Sequence, residues 1–205
     1  MKEHLNPEDT ALVIVDVQND FCHEDGACAR RGSDVTAAQA IISQLQALID
    51  TAHGNGVPVV FIQMTLNDKT VSDAWSKRME ENPIAVCEKG SWGTEFYKLS
   101  PASEDIVVEK HRYSAFIGTE LDMILGNLKR KSLVITGVAT NVCVESTARD
   151  GFMMDYHVTL VQDACAGYDA ELHDATCKNI TNNFGLVLNA ADIIEYWSSP
   201  VPMVG

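Results

Sequence analysis

The sequence predicts an α/β protein, a three-layer α/β/α domain in which a six-stranded parallel sheet lies between two layers of helices. Three observations predict this class. Several short runs are apolar at every position, which is typical of strands buried on both faces of a parallel sheet. Segments with apolar residues at helical spacing follow these runs, and each strand–helix pair takes roughly 25 residues, as βαβ crossovers do. With 205 residues and 46% hydrophobic content, the chain fits one such domain over 1–205.

The apolar runs place the strands. The first run covers 10–16 and ends in an acid, Asp16, and the second covers 57–62. Both are rich in β-branched residues, which favour strands. The same pattern predicts further strands at 105–109, 132–137, 157–161 and 185–188.

The helices lie between the strands. Segment 36–55 carries apolar residues three and four positions apart, and Gly54 and Gly56 end it. The connection 64–101 has weak periodicity, and long connections of this kind often form lids or substrate-binding loops. Further helices are predicted at 119–131, 143–156, 169–184 and 191–197.

The composition excludes some classes of partner. The chain has 29 acidic and 15 basic residues and a net charge of −14, and such a surface repels nucleic-acid backbones and anionic lipid headgroups. The first residues are polar and lack the apolar core of a signal peptide. The longest apolar runs are strand-sized, far short of a membrane span. We therefore expect a cytoplasmic protein that binds neither nucleic acid nor membrane.

The chain has six cysteines and no C-x-x-C pair, which argues against a zinc knuckle or a thioredoxin-type redox motif. In a chain of this size without a secretory signal, we expect them to be reduced. Cys143 is a candidate for chemistry. The others are expected to be small packing residues: Cys22, Cys28, Cys87, Cys165 and Cys177.

Three residues with side chains suited to catalysis lie at or just beyond predicted strand ends, where open parallel sheets bind ligands. Asp16 ends the first strand, Lys110 follows the strand at 105–109, and Cys143 follows the strand at 132–137 and opens a helix. A helix N-terminus and a nearby Lys both lower the pKa of a thiol. Taken singly, each residue also fits an ordinary role, as a turn cap, a solvated Lys and a packing Cys.

Together these residues predict nucleophilic catalysis. Asp16 would accept the proton of the Cys143 thiol and later return it to a leaving amine. Lys110 would support the thiolate. The backbone N–H groups of Ala139 and Cys143, in the turn that starts the helix, would form an oxyanion hole.

Three segments resemble the signature blocks of the isochorismatase-like cysteine hydrolases, in the same order and over nearly the whole chain. They are 13–21 (VIVDVQNDF), 109–116 (EKHRYSAF) and 135–152 (ITGVATNVCVESTARDGF). The resemblance implies a six-stranded parallel sheet between helices, a catalytic triad of Asp16, Lys110 and Cys143, and a cis peptide at 138–139.

The resemblance also separates subgroups. Nicotinamidases bind a metal through an Asp-x-His pair and a further His after the second strand, but 62–67 contains no His, so no metal is expected. True isochorismatases do not use the cysteine. The remaining subgroup cleaves N-carbamoyl compounds, biuret and ureidoacrylate, and the motifs resemble its ureidoacrylate amidohydrolases most. No cofactor is expected. A non-catalytic family member and a redox protein are the rival classes.

Other residues carry weaker expectations. Trp92, Tyr113 and Phe116 are candidate pocket walls for a small planar amide or ureide, although core or interface roles fit them equally. Arg149 is expected to pair with an acid on its own helix. The resemblance implies a dimer or tetramer, to which 158–161 and the apolar tail 200–204 could contribute.

Overall fold

The computed structural model describes residues 2–80 and 84–199, and within them one parallel sheet forms the centre of the fold. The strand order is β3-β2-β1-β4-β5-β6, and every neighbouring pair is parallel. This confirms the predicted fold class. The strands are β1 (Thr10–Val15), β2 (Val59–Met64), β3 (Ile106–Lys110), β4 (Ser132–Val138), β5 (His157–Ala166) and β6 (Gly185–Leu188).

Helices cover both faces of the sheet. A 3-10 turn, Trp92–Thr94, lies in the long connection after β2, and a π-helical turn, Thr140–Val144, follows β4. The α-helices are α1 (Lys2–Leu5), α2 (Asn19–Cys22), α3 (Ala27–Arg30), α4 (Thr36–Ala40), α5 (Ile42–Gly54), α6 (Asp73–Glu80), α7 (Leu121–Asn127), α8 (Glu145–Met153), α9 (Ala170–Asn183) and α10 (Ala190–Ser198). Among the described residues, no helix combines the length and apolar character that a bilayer span requires.

Alternate residues of β1 pack into two separate cores. Leu12 and Ile14 belong to a cluster with residues of α5 and α10, whereas Val13 and Val15 belong to a cluster with residues of α7, α8 and α9. Successive side chains of a strand point to opposite faces. A strand that is apolar at every position therefore needs a helical layer on each side, which is the three-layer arrangement.

Several predicted boundaries differ from the structure, and two of the differences have a clear local reason. The predicted helix 119–131 ends at Asn127 because Lys129 adopts a left-handed conformation with φ of 56°. The Lys129 N–H then bonds the Gly126 carbonyl and the Arg130 N–H bonds the Leu125 carbonyl, as in a Schellman ending. Lysine is rare at such a helix ending, so the hydrophobic pattern did not predict that the helix ends here.

Strand β5 was predicted at 157–161 but continues to Ala166, past polar Gln162 and Asp163. Its last residues pair with the end of β4 after a shift in register. Segment 158–161, which was expected to contribute to an interface, is buried because β5 lies inside the sheet between β4 and β6. That expectation was wrong. The tail 200–204 lies outside the described residues.

The order of the strands creates a crevice at their carboxyl ends. Strand β1 pairs with β2 on one side and with β4 on the other, so the connections that leave β1 and β4 turn to opposite faces. Gly137 of β4 lies opposite Val15 of β1. A Cβ at this glycine would come within 2.1 Å of the Val15 carbonyl oxygen, and its φ is +107°. Only glycine lets these two strand ends lie so close.

Candidate active site

The three residues expected at the edge of the sheet lie together there. Asp16 directly follows β1 in a left-handed conformation with φ of 51°, and Lys110 is the last residue of β3. Cys143 lies in the π-helical turn after β4. The Lys110 Nζ lies 2.7 Å from Asp16 Oδ2 and 3.4 Å from Cys143 Sγ. One ammonium group therefore joins the acid and the thiol.

The position of the Lys110 ammonium is fixed by further contacts. It donates to the Arg112 carbonyl oxygen at 2.9 Å and lies 3.6 Å from Met64 Sδ at the end of β2. The side chains of Asp16 and Lys110 are 0% exposed. A buried ion pair of this kind keeps its geometry because separating the charges leaves each without compensation in a low-dielectric site.

Burial controls the protonation of the acid and the ammonium. Burial raises the pKa of Asp16, and the neighbouring Lys110 charge offsets this only in part. For Lys110, burial acts to lower the pKa, but the charge of Asp16 and the Cys143 sulfur reverse this, so the pKa lies above its usual value. The carboxylate is thus a stronger base than an exposed Asp, next to a firmly charged ammonium.

The pKa of the Cys143 thiol differs from the expectation. Its pKa is raised, because burial and then the negative charge of Asp16 outweigh the effect of Lys110. The expectation of a lowered thiol pKa was wrong. It considered the helix start and the Lys, but the thiol is also almost fully buried. The resting form at neutral pH is therefore the neutral thiol, with a base beside it.

The turn before Cys143 has an unusual backbone. The Val138–Ala139 peptide is cis, as the resemblance implied. The Ala139 carbonyl accepts the N–H groups of Val142 and Val144, which closes the π-helical turn. Ala139 and Cys143 line the same cavity. The oxyanion hole assigned to their N–H groups stays a prediction.

A cavity of about 330 Å³ opens above Cys143. Its volume suits a small organic molecule. The walls are mostly apolar or aromatic, and apart from Met64 at the end of β2 they come from the connections outside the sheet. Besides Ala139 and Cys143, the lining consists of Phe21, Cys28, Arg31, Met64, Leu66, Trp75, Arg78, Val86, Tyr113, Val142 and Tyr168.

The three aromatic residues expected in the pocket have different positions. Tyr113 lines the cavity and packs against Trp75, with ring centroids 4.9 Å apart. Trp92, the first residue of the 3-10 turn, lines a different cavity. Phe116 is buried in the core against Tyr156. The pocket assignment of Trp92 and Phe116 is therefore corrected.

Sequence reasoning missed the aromatic walls that the structure adds. Trp75 lies on α6, Phe21 on α2, and Tyr168 follows β5 and donates its hydroxyl hydrogen to the Phe21 carbonyl at 2.9 Å. The one available signal was Trp75, an aromatic residue in a long connection of weak periodicity. The connection 64–101 does supply part of the pocket, as expected of a substrate-binding loop.

Buried polar side chains after β1 hold these walls in place. The Gln18 amide donates to the carbonyls of Met64 and Thr94 and accepts the Met64 N–H. Asp20 accepts the N–H groups of Ala27 at 2.9 Å and Cys87 at 2.6 Å. Both residues belong to the first signature block, yet their work is to join connections that are distant in sequence.

The remaining site predictions concern local contacts. Arg149 pairs with Glu145 one turn earlier on α8 at 2.6 Å, which confirms the expected ion pair. In the loop after α2, the Asp25 N–H donates to His23 Nδ1 at 3.0 Å. All cysteines of the chain are free thiols in the structure. Across residues 2–80 and 84–199, no group of three or more His, Cys, Asp or Glu is arranged to hold a metal ion.

Comparison with known proteins decides the family. Residues 10–192 match the family model described as an isochorismatase domain. The chain belongs to the isochorismatase family. This confirms the resemblance found in the motifs, and the match includes Asp16, Lys110 and Cys143.

Individual relatives agree with the family. The chain is 35% identical to the ureidoacrylate amidohydrolase RutB of Acinetobacter baylyi over 209 residues, which cover 93% of this chain and 84% of the relative. A cysteine hydrolase from Pseudomonas syringae pv. phaseolicola matches with a TM-score of 0.87 and 28% identity, covering 95% of this chain and 94% of that one. The N-carbamoylsarcosine amidase of Thermoplasma acidophilum matches with a TM-score of 0.73 and 29% identity, covering 89% and 96%.

Proposed function

We propose that this family member is a cysteine-dependent amidohydrolase that cleaves a carbon–nitrogen bond of a small ureide or amide. Cys143 is the nucleophile, Asp16 the general acid and base, and Lys110 the electrostatic support. The observation that carries the proposal is the position of the Lys110 ammonium, in contact with both Asp16 and Cys143 beneath a small cavity.

The first step forms a covalent bond to substrate. Cys143 gives its thiol proton to Asp16 as its sulfur attacks the carbamoyl or acyl carbon, and the carbonyl electrons move to oxygen. The raised pKa of Asp16 favours this transfer, and Lys110 stabilises the negative charge that develops on the sulfur. The N–H groups of Ala139 and Cys143 hold the oxyanion.

The second half of the reaction returns the proton. The tetrahedral intermediate collapses, protonated Asp16 gives its proton to the departing nitrogen, and ammonia or an amine leaves. Water then attacks the remaining thiocarbamate or thioester, with Asp16 again accepting a proton. The thiol is restored when carbamate or acid departs. Asp16 and Cys143 account for every proton that is transferred, so the scheme needs no cofactor.

Two relatives support a ureide substrate. One is named for ureidoacrylate and the other for N-carbamoylsarcosine. Both compounds carry a terminal carbamoyl group on nitrogen, and both are small enough for a cavity of about 330 Å³. We therefore place the substrate among carbamoyl-bearing ureides, with ureidoacrylate as the first candidate.

The alternatives have less support from the residues. A nicotinamidase-type activity lacks the His residues expected in 62–67. An isochorismatase-type activity leaves Cys143 and its contact with Lys110 without a role. A non-catalytic member is disfavoured because all three residues of the triad are present and in contact.

The test is product release from ureidoacrylate, N-carbamoyl amino acids, biuret and nicotinamide, with wild type, Cys143→Ser and Cys177→Ser. Cys177 is a matched control, since it is a free, half-buried thiol outside the cavity lining. We expect turnover of a ureide, its loss in Cys143→Ser, and wild-type activity in Cys177→Ser. Turnover of nicotinamide alone would favour the nicotinamidase alternative. Full activity of Cys143→Ser would overturn the mechanism.

We further propose that 1–205 form one domain that assembles into a dimer or tetramer in the cytoplasm. Exposed apolar side chains on the helices support association, among them Met123 on α7 and Met153 on α8. Light scattering of the purified chain measures the mass directly. A mass that corresponds to a monomer at micromolar concentration would contradict the proposed dimer or tetramer.

A further inference from the structure

One buried side chain joins the backbone of Cys143 to the connection that follows Lys110. Thr147 lies on α8, one turn after Cys143, and is 0% exposed. Its hydroxyl donates to the Cys143 carbonyl oxygen at 2.7 Å and accepts the N–H group of Ala115 at 3.0 Å. A hydroxyl has a single donor hydrogen, so Thr147 uses that hydrogen on the nucleophile and a lone pair on a distant segment.

The connection after β3 depends on contacts of this kind. Residues 111–120 lie between β3 and α7 and form neither a helix nor a strand. Within this connection, the Arg112 carbonyl accepts a bond from the Lys110 ammonium at 2.9 Å. The Ala115 N–H bonds the Thr147 hydroxyl instead of a backbone carbonyl. The segment that holds the ammonium is therefore attached to α8 through Thr147.

The packing around this contact excludes water. Ala115 is 0% exposed. Gly151 lies one turn after Thr147 on α8, and a Cβ at this glycine would lie 3.1 Å from Leu133 and 3.3 Å from Phe116. Valine at position 147 would leave the Ala115 N–H buried without a partner, and a buried donor without a partner is costly. The connection would then shift to give this N–H another acceptor.

We propose that Thr147 is a positioning residue that sets the distance between the Lys110 ammonium and the Cys143 sulfur. This rests on the proposed function and adds to it a residue that acts through the backbone. Pairing of the strands places Lys110 in β3, but Cys143 and Arg112 lie beyond the strand ends. The contact of 3.4 Å between Nζ and Sγ therefore depends on how the two connections are joined. A misplacement of about 1 Å at a catalytic group lowers a rate by up to about 100-fold.

The experiment applies one substitution to two buried threonines. Thr147→Val removes both hydrogen bonds and keeps the shape of the side chain. Thr10→Val is the matched control, because Thr10 is also 0% exposed and its hydroxyl donates at 2.7 Å to a carbonyl four residues earlier. Thr10 starts β1, at the end of the sheet opposite the triad. Thr147→Ser keeps the hydroxyl and tests for rescue.

The kinetic readout separates positioning from stability. We expect Thr147→Val to lower kcat on the ureide that wild type hydrolyses at least about tenfold, with KM changed less than about threefold. Thr147→Ser and Thr10→Val should keep kcat within about threefold of wild type, although both valine variants should unfold at lower urea concentrations. Wild-type kcat in Thr147→Val overturns the inference. An equal loss of kcat in Thr147→Ser or Thr10→Val also overturns it.

Alkylation of Cys143 tests the same geometry without turnover. Iodoacetamide reacts with the thiolate, and the Lys110 charge acts to lower the pKa of this thiol against the larger effect of burial. Mass spectrometry of the Cys143 peptide gives the rate at pH 8. We expect Thr147→Val to slow alkylation at least about fivefold and Thr10→Val to leave it unchanged. Equal rates in wild type and Thr147→Val overturn the inference. Wild type that hydrolyses no ureide refutes the proposed function, and the alkylation rates still decide the role of Thr147.

Amide hydrogen exchange of wild type covers the case in which Thr147→Val does not fold. We expect the Ala115 N–H to exchange at least about 100-fold more slowly than that of Ser103, an exposed residue in the connection before β3. The reason is that the Ala115 N–H is buried and bonded to Thr147. Exchange of Ala115 as fast as that of Ser103 overturns the inference.

Discussion

The triad and the cavity walls meet at Cys143 but are built in different ways. The triad comes from the sheet: Asp16 follows β1, Lys110 ends β3, and Cys143 follows β4. Most of the walls come from segments outside the sheet, such as α6 with Trp75 and the loop after α3 with Arg31. Strand pairing fixes the first region, whereas single buried polar side chains fix the second.

We infer from this difference that the triad determines the chemistry and that the walls determine the substrate. Moving a strand end disturbs the whole sheet, so the relative positions of the triad residues follow from the fold. A connection can change its length or side chains without moving the strands. We therefore expect substitutions in the triad to change kcat, and substitutions in the walls to change KM.

The largest expected effect is on kcat, and it is measured by comparing the Asp→Asn substitution at two acids that lie four positions apart in the sequence. Asp16→Asn removes the base and should lower kcat about 10³-fold. Asp20→Asn removes one acceptor that holds Ala27 and Cys87, and it should raise KM and cost about 1–2 kcal/mol of unfolding free energy while kcat changes little. Steady-state kinetics and urea unfolding measure both variants. An equal loss of kcat in Asp20→Asn contradicts the division between the two regions.

The next effect concerns the stability of the buried ion pair. Asp16→Asn or Lys110→Met leaves one buried charge without its partner and should cost about 3–5 kcal/mol. The double variant should cost less than the sum of the two by about 2 kcal/mol, because it leaves no uncompensated charge. Urea unfolding of the four proteins gives the coupling.

An exposed ion pair next to the triad serves as the control for that cycle. Lys89 and Glu109 are 2.6 Å apart, with side chains 54% and 37% exposed. Water screens such a pair, so the cycle with Lys89→Met and Glu109→Gln should give a coupling below about 1 kcal/mol. Equal couplings in the two cycles would show that burial does not distinguish the pairs.

A smaller effect separates the two Trp residues of the long connection. Trp75→Ala should raise KM about tenfold, because it removes an aromatic wall of the cavity and the partner of Tyr113. Trp92→Ala should change KM less than about threefold, since Trp92 lines another cavity. A larger increase in KM for Trp92→Ala than for Trp75→Ala would support the assignment of Trp92 to the pocket that the sequence suggested.

The smallest expected signal is the titration of Cys143. Since its pKa is raised by burial, the thiol should stay protonated at all pH values below its usual pKa. The absorbance of thiolate, taken as the difference between wild type and Cys143→Ser, should show no step between about pH 5 and pH 8. A step in that range would show a preformed thiolate and restore the expectation from the helix start.

The same division explains what the sequence could predict. The triad was predictable because apolar runs locate the strands, and Asp16, Lys110 and Cys143 are adjacent to their ends. The parallel sheet brings such ends together. The helix ending at Lys129 was not predictable, because the left-handed conformation that ends a helix is typical of Gly and Asn and rare for Lys.

The walls and the protonation of the thiol depend on packing between distant segments. Trp75 and Phe21 carry no periodic signal that sets them apart from Trp92 or Phe116, and only the folded connections decide which ring faces Cys143. The pKa of Cys143 depends likewise on how completely the surrounding chain excludes water. Local reasoning about the helix start could not include this effect.

The most direct test of the central claim is the mass of the enzyme during turnover. Wild type is mixed with ureidoacrylate, quenched in acid within the first turnovers, and digested for mass spectrometry of the peptide that contains Cys143. We predict an adduct on the Cys143 sulfur, with the mass of a carbamoyl group if the amine leaves first or of the acylated substrate if ammonia leaves first. The other cysteine peptides should be unmodified. Continued turnover by Cys143→Ser, with no adduct on the wild-type peptide, would contradict the account.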